Sequence, residues 1–366
     1  MRRLLPLLAA VAALALVVSG CGGGSDDNDD VAKGPAFLGV SVGLPILGQP
    51  KLAESEFPLM VRSGVTTIRV VFPWSTMEPV RGQPVFAFTD PLVTRAARSG
   101  LDVLPVVVVS PPWAKKNPSD PAGPPKDPAD YARFLRALIE RYGPEGSFWK
   151  DNPDVPKKPI RAWQIWNEPS HDFYWSTQPW PASYVRLLKA ANDAIKAADP
   201  GAKTVSAGFP DRSWDSLRDL LKAGGGSAFD VAATHPYTAK VQNVLRIVRL
   251  DRAALRAGGE GSKPLWLTEI AYSSGQGKVQ PKYAFGFETT EQGQAQKLGQ
   301  VLRLLNANKA ALGIQRMYVE TWFSQDRNTQ STWDWAGLRE IRGSTVRAKP
   351  AFGAFQDFGS QFRDGG

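Results

Sequence analysis

Residues 101–142 read LDVLPVVVVSPPWAKKNPSDPAGPPKDPADYARFLRALIERY. The first nine residues are almost wholly apolar, as a strand covered on both faces has to be. A proline-rich loop follows. Asp127-Pro128 then opens an amphipathic stretch that runs to Tyr142, with a capping residue and a proline at the place where a helix tolerates both. The same strand–loop–helix alternation repeats in both directions from here. Strands are predicted at residues 37–42, 66–72, 101–109, 161–166, 204–208, 230–234, 264–269 and 315–321. Helices are predicted at 52–62, 90–99, 127–142, 182–198, 213–223, 240–257, 291–308 and 352–362. Eight consecutive βα units over this length predict an α/β fold, a closed (β/α)8 barrel of one domain spanning residues 36–366. No Gly-x-Gly-x-x-Gly turn follows an early strand, which argues against a dinucleotide-binding sheet.

The first 35 residues have another character. Arg2 and Arg3 precede an apolar run over residues 4–18, which ends in Val18-Ser19-Gly20-Cys21. A short basic region, an apolar core and small residues at a cut site describe a secretory signal over residues 1–20. Cys21, the only cysteine of the chain, stands where lipoprotein processing would leave it as the new N-terminus, so the segment resembles a bacterial lipobox. Residues 21–35 carry glycines and aspartates with little to pack, and read as a flexible tether. The expected location is therefore extracytoplasmic, with the domain secreted or held at the cell envelope by a lipid on Cys21.

Composition narrows the chemistry. A single cysteine excludes an intramolecular disulfide and thiolate metal clusters, and two histidines, His171 and His235, make a histidine-based metal site improbable. No cofactor is expected. The formal net charge is +9, yet no dense basic stripe with interleaved aromatics occurs, so nucleic acid is not an expected partner. The 12 tryptophans offer flat rings on which the apolar faces of sugars can lie, although about half are expected to fill the core.

In closed parallel barrels the site lies at the C-terminal ends of the strands. The predicted strands end in Arg69 with Trp74 and Glu78, Ser110 with Trp113, Asn167-Glu168, His235 with Tyr237, Glu269, and Trp322. Glu168 and Glu269, on strands four and seven, would face each other across the barrel mouth. Cleavage of a glycosidic bond needs such a pair, one carboxyl to protonate the leaving oxygen and one carboxylate on the other side of the sugar. A separation of about 5–5.5 Å makes the second a nucleophile and retains the anomeric configuration. The acid role requires Glu168 to carry a proton, and Trp166 is placed in sequence to shield it. Arg69 would keep Glu269 ionised, and Tyr237 could donate to it. Asn167 suits a sugar 2-hydroxyl.

Asn167-Glu168-Pro169 together with Thr268-Glu269 resembles clan A of the glycoside hydrolases, especially families 39 and 5. The resemblance runs from about residue 37 to 358. It includes Trp74-Ser75-Thr76-Met77-Glu78-Pro79 and Ser110-Pro111-Pro112-Trp113 after strands two and three, and His235-Pro236-Tyr237 after strand six. It implies a retaining glycosidase, a monomer acting on a poly- or oligosaccharide, with Glu168 as acid/base and Glu269 as nucleophile. It also implies that Arg69, Asn167, His235 and Tyr237 line the site and that Trp322 is the strand-eight platform under the sugar. Trp74, Trp113 and His171 are further candidates for substrate contact, and Glu78 for bracing a loop. Family 5 places a histidine near the end of strand three; Ser110-Pro111-Pro112-Trp113 stands there instead, which favours the family 39-like branch.

Two other readings share this sequence. A carbohydrate-binding protein could keep the barrel without turnover, and a transglycosylase would use the same residues with a sugar as acceptor. Residues 111–128, 142–159 and 273–288 are expected to shape the cleft.

Overall fold

The computed structural model describes residues 31–43, 46, 49–324, 331–343 and 345–363. The expected signal segment, Cys21 and most of the tether lie outside the described residues. Strands β1 (Leu38–Val42), β2 (Thr67–Pro73), β3 (Asp102–Val108), β4 (Ala162–Ile165), β5 (Lys203–Phe209), β6 (Val231–Thr234), β7 (Leu265–Ile270) and β8 (Ile314–Val319) form a closed parallel barrel in chain order. It closes through the pairing of Gly39 with Tyr318. The helices are α1 (Pro50–Arg62), α2 (Asp90–Arg98), α3 (Pro128–Tyr142), α4 (Pro181–Ala198), α5 (Ser213–Lys222), α6 (Val241–Ala257), α7 (Glu291–Leu312) and α8 (Pro350–Gly359). The (β/α)8 barrel expected from the sequence is thus the observed fold.

Local chemistry accounts for the element ends. Asp127 caps α3, its carboxylate accepting from Ala129 N–H at 2.9 Å, and Pro128 occupies the first helical position. α7 runs one turn beyond the predicted end and stops at Gly313, whose φ of 62° a side chain would strain. Among the described residues no helix is long and apolar enough to cross a membrane.

Strand alternation divides the interior in two. On β2, Ile68, Val70 and Phe72 point outward and are buried under the helices, while Thr67 and Arg69 point into the barrel. The outward set belongs to a continuous apolar shell between strands and helices. A separate inner cluster of Leu104, Ala162, Val205, Val231, Ala233, Trp266 and Tyr318 forms the barrel floor. Gly39 is required there, since a Cβ would come within 2.4 Å of the Tyr318 ring.

Two features depart from the sequence reading. The chain after β8 forms a small three-stranded sheet of β9 (Phe323–Ser324), β10 (Arg339–Arg342) and β11 (Thr345–Ala348) before α8. Residues 142–159, expected to shape the cleft, sit at the opposite end of the barrel. Lys158 pairs with Asp102, the first residue of β3, at 2.9 Å. A segment that follows a helix in a βα unit returns to the N-terminal ends of the strands, away from the site.

Candidate active site

Above the floor the inner face becomes polar. Arg69 is almost fully buried and spends its guanidinium on three partners. Its Nε donates to Gln164 Oε1 at 2.8 Å, Nη1 to Glu269 Oε1 at 2.7 Å and Nη2 to Asn167 Oδ1 at 2.9 Å. One arginine on β2 thereby fixes side chains of β4 and β7, and that of Asn167 just after β4. Gln164 Nε2 in turn reaches Thr268 Oγ1 and the Ser206 carbonyl, both at 3.3 Å.

Glu168 and Glu269 converge on His235. Its Nδ1 lies 2.6 Å from Glu168 Oε1, and its Nε2 lies 3.0 Å from Thr268 Oγ1 and 3.5 Å from Glu269 Oε1. The ring is fully buried and rests on Gly208 of β5, where an added Cβ would lie 1.9 Å from Nε2. Both glutamate side chains remain 12 % exposed, open to the mouth. A carboxylate oxygen of Glu168, one of Glu269 and a nitrogen of His235 all lie within 4.8 Å of one another.

These three could in principle ligate a cation. Their donor atoms are already committed to each other and to Thr268, however, and the Arg69 guanidinium sits on Glu269. A permanent positive charge 2.7 Å from one proposed ligand makes a poor metal site.

The two carboxylates have different partners. Burial raises the Glu269 carboxyl, but His235, Arg69 and the hydrogen bond from Tyr237 outweigh it and hold it below the usual carboxylate range. Tyr237 Oη donates to Glu269 Oε2. Burial, and then the negative charge of Glu269, push the Tyr237 hydroxyl well up, so it stays a donor. Glu168 meets the ring nitrogen of His235, a group that can both give and take a proton.

A third carboxyl, Glu320, just beyond β8, was not singled out from the sequence. Its Oε2 lies 3.9 Å from Arg69 Nη1. Burial and the neighbouring Glu269 push it up to about 8, against the pull of Arg69. Gln164, Thr268 and Tyr174 were also missed. Gln164 and Thr268 lie inside runs read as strand rather than at their ends.

Backbone strain gathers at the same rim. Val109, Trp166, Glu168 and Asp211 have φ of 63°, 69°, 43° and 55°. They follow three neighbouring strands, β3, β4 and β5. Left-handed backbone at non-glycine residues is uncommon and clusters at functional sites. His171 lies on the β4 loop and pairs with Asp211 at 3.3 Å. The hydrogen bond to Asp211 raises the imidazole against the effect of burial, with the charge of Glu168 adding to the rise.

Several expected contacts are not made. Trp322 does not lie under the cleft. It is fully buried, donates to Glu56 Oε2 at 2.9 Å and packs edge-on against Phe352 and Phe355 of α8. The strand has ended before it, and its N–H finds a buried carboxylate on α1. Trp74 is core as well, stacked on Phe134 with its N–H on Glu78 Oε2 at 2.7 Å. Trp113 is half-buried, donates to the Glu78 carbonyl and has the guanidiniums of Arg81 and Arg133 5.9 and 5.8 Å from its ring. Glu78 braces this loop, taking Trp74, Gly82 N–H and Arg133 on its two oxygens. Trp166 turns away from Glu168, against Trp175 and Tyr131. Trp333 and Phe287 instead pack on the ring of Tyr237, the donor to Glu269, at 4.7 and 5.6 Å.

No family description and no curated protein matches the chain. Solved structures do. A monomeric β-xylosidase from Caulobacter crescentus CB15 is similar over 89 % of this chain and 69 % of its own, at 19 % identity and a TM-score of 0.62. A GH39 enzyme from Xanthomonas axonopodis pv. citri matches over 89 % of this chain and 67 % of its own, at 18 % identity and a TM-score of 0.64. The exo-β-1,4-mannosidase Op5Man5 from Opitutaceae bacterium strain TAV5 matches over 92 % and 62 %, at 15 % identity and a TM-score of 0.63. The chain therefore has the (β/α)8 fold found in these glycosidase structures.

Proposed function

We propose that the chain is a retaining glycoside hydrolase acting on O-glycosidic, β-linked bonds of a poly- or oligosaccharide. The observation that carries this reading is the approach of Glu168 and Glu269, with an oxygen of each within 4.8 Å. An inverting pair stands about 6.5–9.5 Å apart to admit a water between carboxylate and sugar.

In the first step a Glu269 oxygen attacks the anomeric carbon while Glu168 gives its proton to the departing glycosidic oxygen. The C–O bond to the leaving group breaks and a glycosyl ester forms on Glu269. In the second step Glu168 takes a proton from water, whose oxygen attacks the same carbon and frees Glu269. Arg69 and Tyr237 hold the nucleophile ionised and oriented. His235 holds the Glu168 carboxyl in place. Because Asn167 Oδ1 accepts from Arg69, its amide N–H₂ is the end offered to a sugar 2-hydroxyl.

The test is trapping with dinitrophenyl 2-deoxy-2-fluoro-β-xyloside and -β-glucoside, followed by peptide mass spectrometry. One fluorosugar on the peptide holding Glu269 is expected, and label on any other residue would contradict the assignment. Glu269→Gln should lower turnover by roughly 10³–10⁴-fold.

Export and lipid attachment at Cys21 belong to the same reading, supported by the segment over residues 1–21. Cells expressing the chain with an alkyne fatty acid should label it, and Cys21→Ser should remove the label. Equal labelling of both would discard the anchor.

A further inference from the structure

Two exposed aromatic outcrops flank the carboxylates, and the mechanism above uses neither. The first is on the β4 loop, five and six residues beyond Glu168. Phe173 is 77 % exposed and Tyr174 38 %, their rings edge-to-face at 5.0 Å. This loop is fixed at several points. Trp166 Nε1 donates to the Tyr174 carbonyl at 2.9 Å, His171 N–H to the Glu168 carbonyl at 3.0 Å, and Ser176 N–H to the Ala122 carbonyl at 3.0 Å. Trp175, the next residue, is fully buried. Burial and then the charges of Glu168 and Glu269 push the Tyr174 hydroxyl upward.

The second outcrop stands beyond the nucleophile. Phe285, 60 % exposed, lies 5.7 Å from Trp333, and Trp333 lies 4.7 Å from Tyr237, the donor to Glu269. The turn carrying Phe285 is held by Glu288, which accepts from the Phe285 and Gly286 N–H groups at 2.8 and 2.9 Å. Glu288 also takes the Thr332 hydroxyl.

An exposed phenyl ring on a firmly bonded loop keeps apolar area in water without gaining packing, and aromatic faces suit the apolar faces of pyranoses. The leaving group must lie on the Glu168 side, because that residue protonates its oxygen, and the retained sugar on the Glu269 side. We infer that the cleft takes a β-linked glycan chain extending to both sides of the scissile bond, with Phe173–Tyr174 beneath the leaving part and Phe285–Trp333 beneath the retained part. Cleavage then falls inside chains rather than at an end. The inference rests on the assignment of the two carboxylates.

The experiment uses the Glu269→Gln chain in affinity gels containing xylan, mannan or hydroxyethyl cellulose, and the active chain on the matching hexasaccharides. Retardation by at least one polymer is expected. Phe173→Ala and Phe285→Ala, both surface changes checked by thermal melts, should each weaken it about five- to tenfold. First products from the hexasaccharide should be di-, tri- and tetrasaccharides. Retardation by none of the polymers, unchanged affinity in both variants, or release of single sugars from one end only would each overturn the proposal. In any of these cases a fluorosugar trapped on Glu269 would leave the carboxylate assignment standing. Retardation without any trapped sugar would overturn the carboxylate assignment, and with it internal cleavage, and leave only glycan binding by the two outcrops.

Discussion

The floor and the mouth of the barrel interior are built from the same strands, one pleat repeat apart, and have opposite chemistry. β4 supplies Ala162 below and Gln164 above, and β7 supplies Trp266 below and Thr268 above. The chain at β8 supplies Tyr318 below and Glu320 above. Two residues along a strand, about 6.6 Å, separate a dry packed layer from one that holds a guanidinium, an imidazole and three carboxyls. The floor fills its space with side chains and needs few hydrogen bonds. The mouth ties its polar groups to one another through Arg69, Gln164, His235 and Thr268 and leaves the two central carboxylates open to solvent. Stability and chemistry are therefore separable along each strand, even though the strands are shared.

The largest effect should come from breaking the floor. Trp266→Ala removes a buried ring on which the Arg316 guanidinium rests at 4.3 Å. It should lower unfolding free energy by about 3–5 kcal/mol. Well below the new melting temperature, kcat/KM should stay within a few-fold of the parent. A loss of activity in step with stability would show that the two layers are not separable.

Next comes a break confined to the mouth. Gly208→Ala would drive a methyl group into the space of His235 and move the ring that holds Glu168. A loss of about 10²-fold in kcat is expected for such a displacement, with KM changing less. Full activity would mean that His235 has room to shift without cost.

The smallest effect sharpens the comparison by pH. The Glu320 carboxyl is raised from 4.5 to about 8, so its protonated form is favoured on folding. Its contribution to stability is fully present below about 4.5 and is lost as pH rises through 8. The melting temperature of the parent should fall more between pH 5 and pH 8 than that of Glu320→Gln. Parallel melting curves across that range would remove Glu320 from the charge balance of the mouth.

Legibility in the sequence followed the same division. The eight strands were visible because buried parallel strands read as largely apolar runs, and the residues that break or end those runs include Arg69, inside β2, and Asn167, Glu168, His235 and Glu269, at or just past the ends of β4, β6 and β7. Tryptophans were not legible in this way. Whether Trp74 and Trp322 face sugar or core depends on where their N–H groups find a partner. For Trp322 the partner is Glu56 on α1, across the whole length of the chain. The β9–β11 sheet was missed because its strands are two to four residues long, below the length at which alternation carries a signal. Glu320 was within reach, as a carboxylate in the last turn of the eighth apolar run, but the neighbouring tryptophan drew the reading.

Glu168 itself has a φ of 43°, in a region of backbone space where a glycine would be at ease and a glutamate is strained. Selection for stability alone would replace it. A Glu168→Gly chain should therefore relieve that backbone while losing the carboxyl on which the proposed function depends.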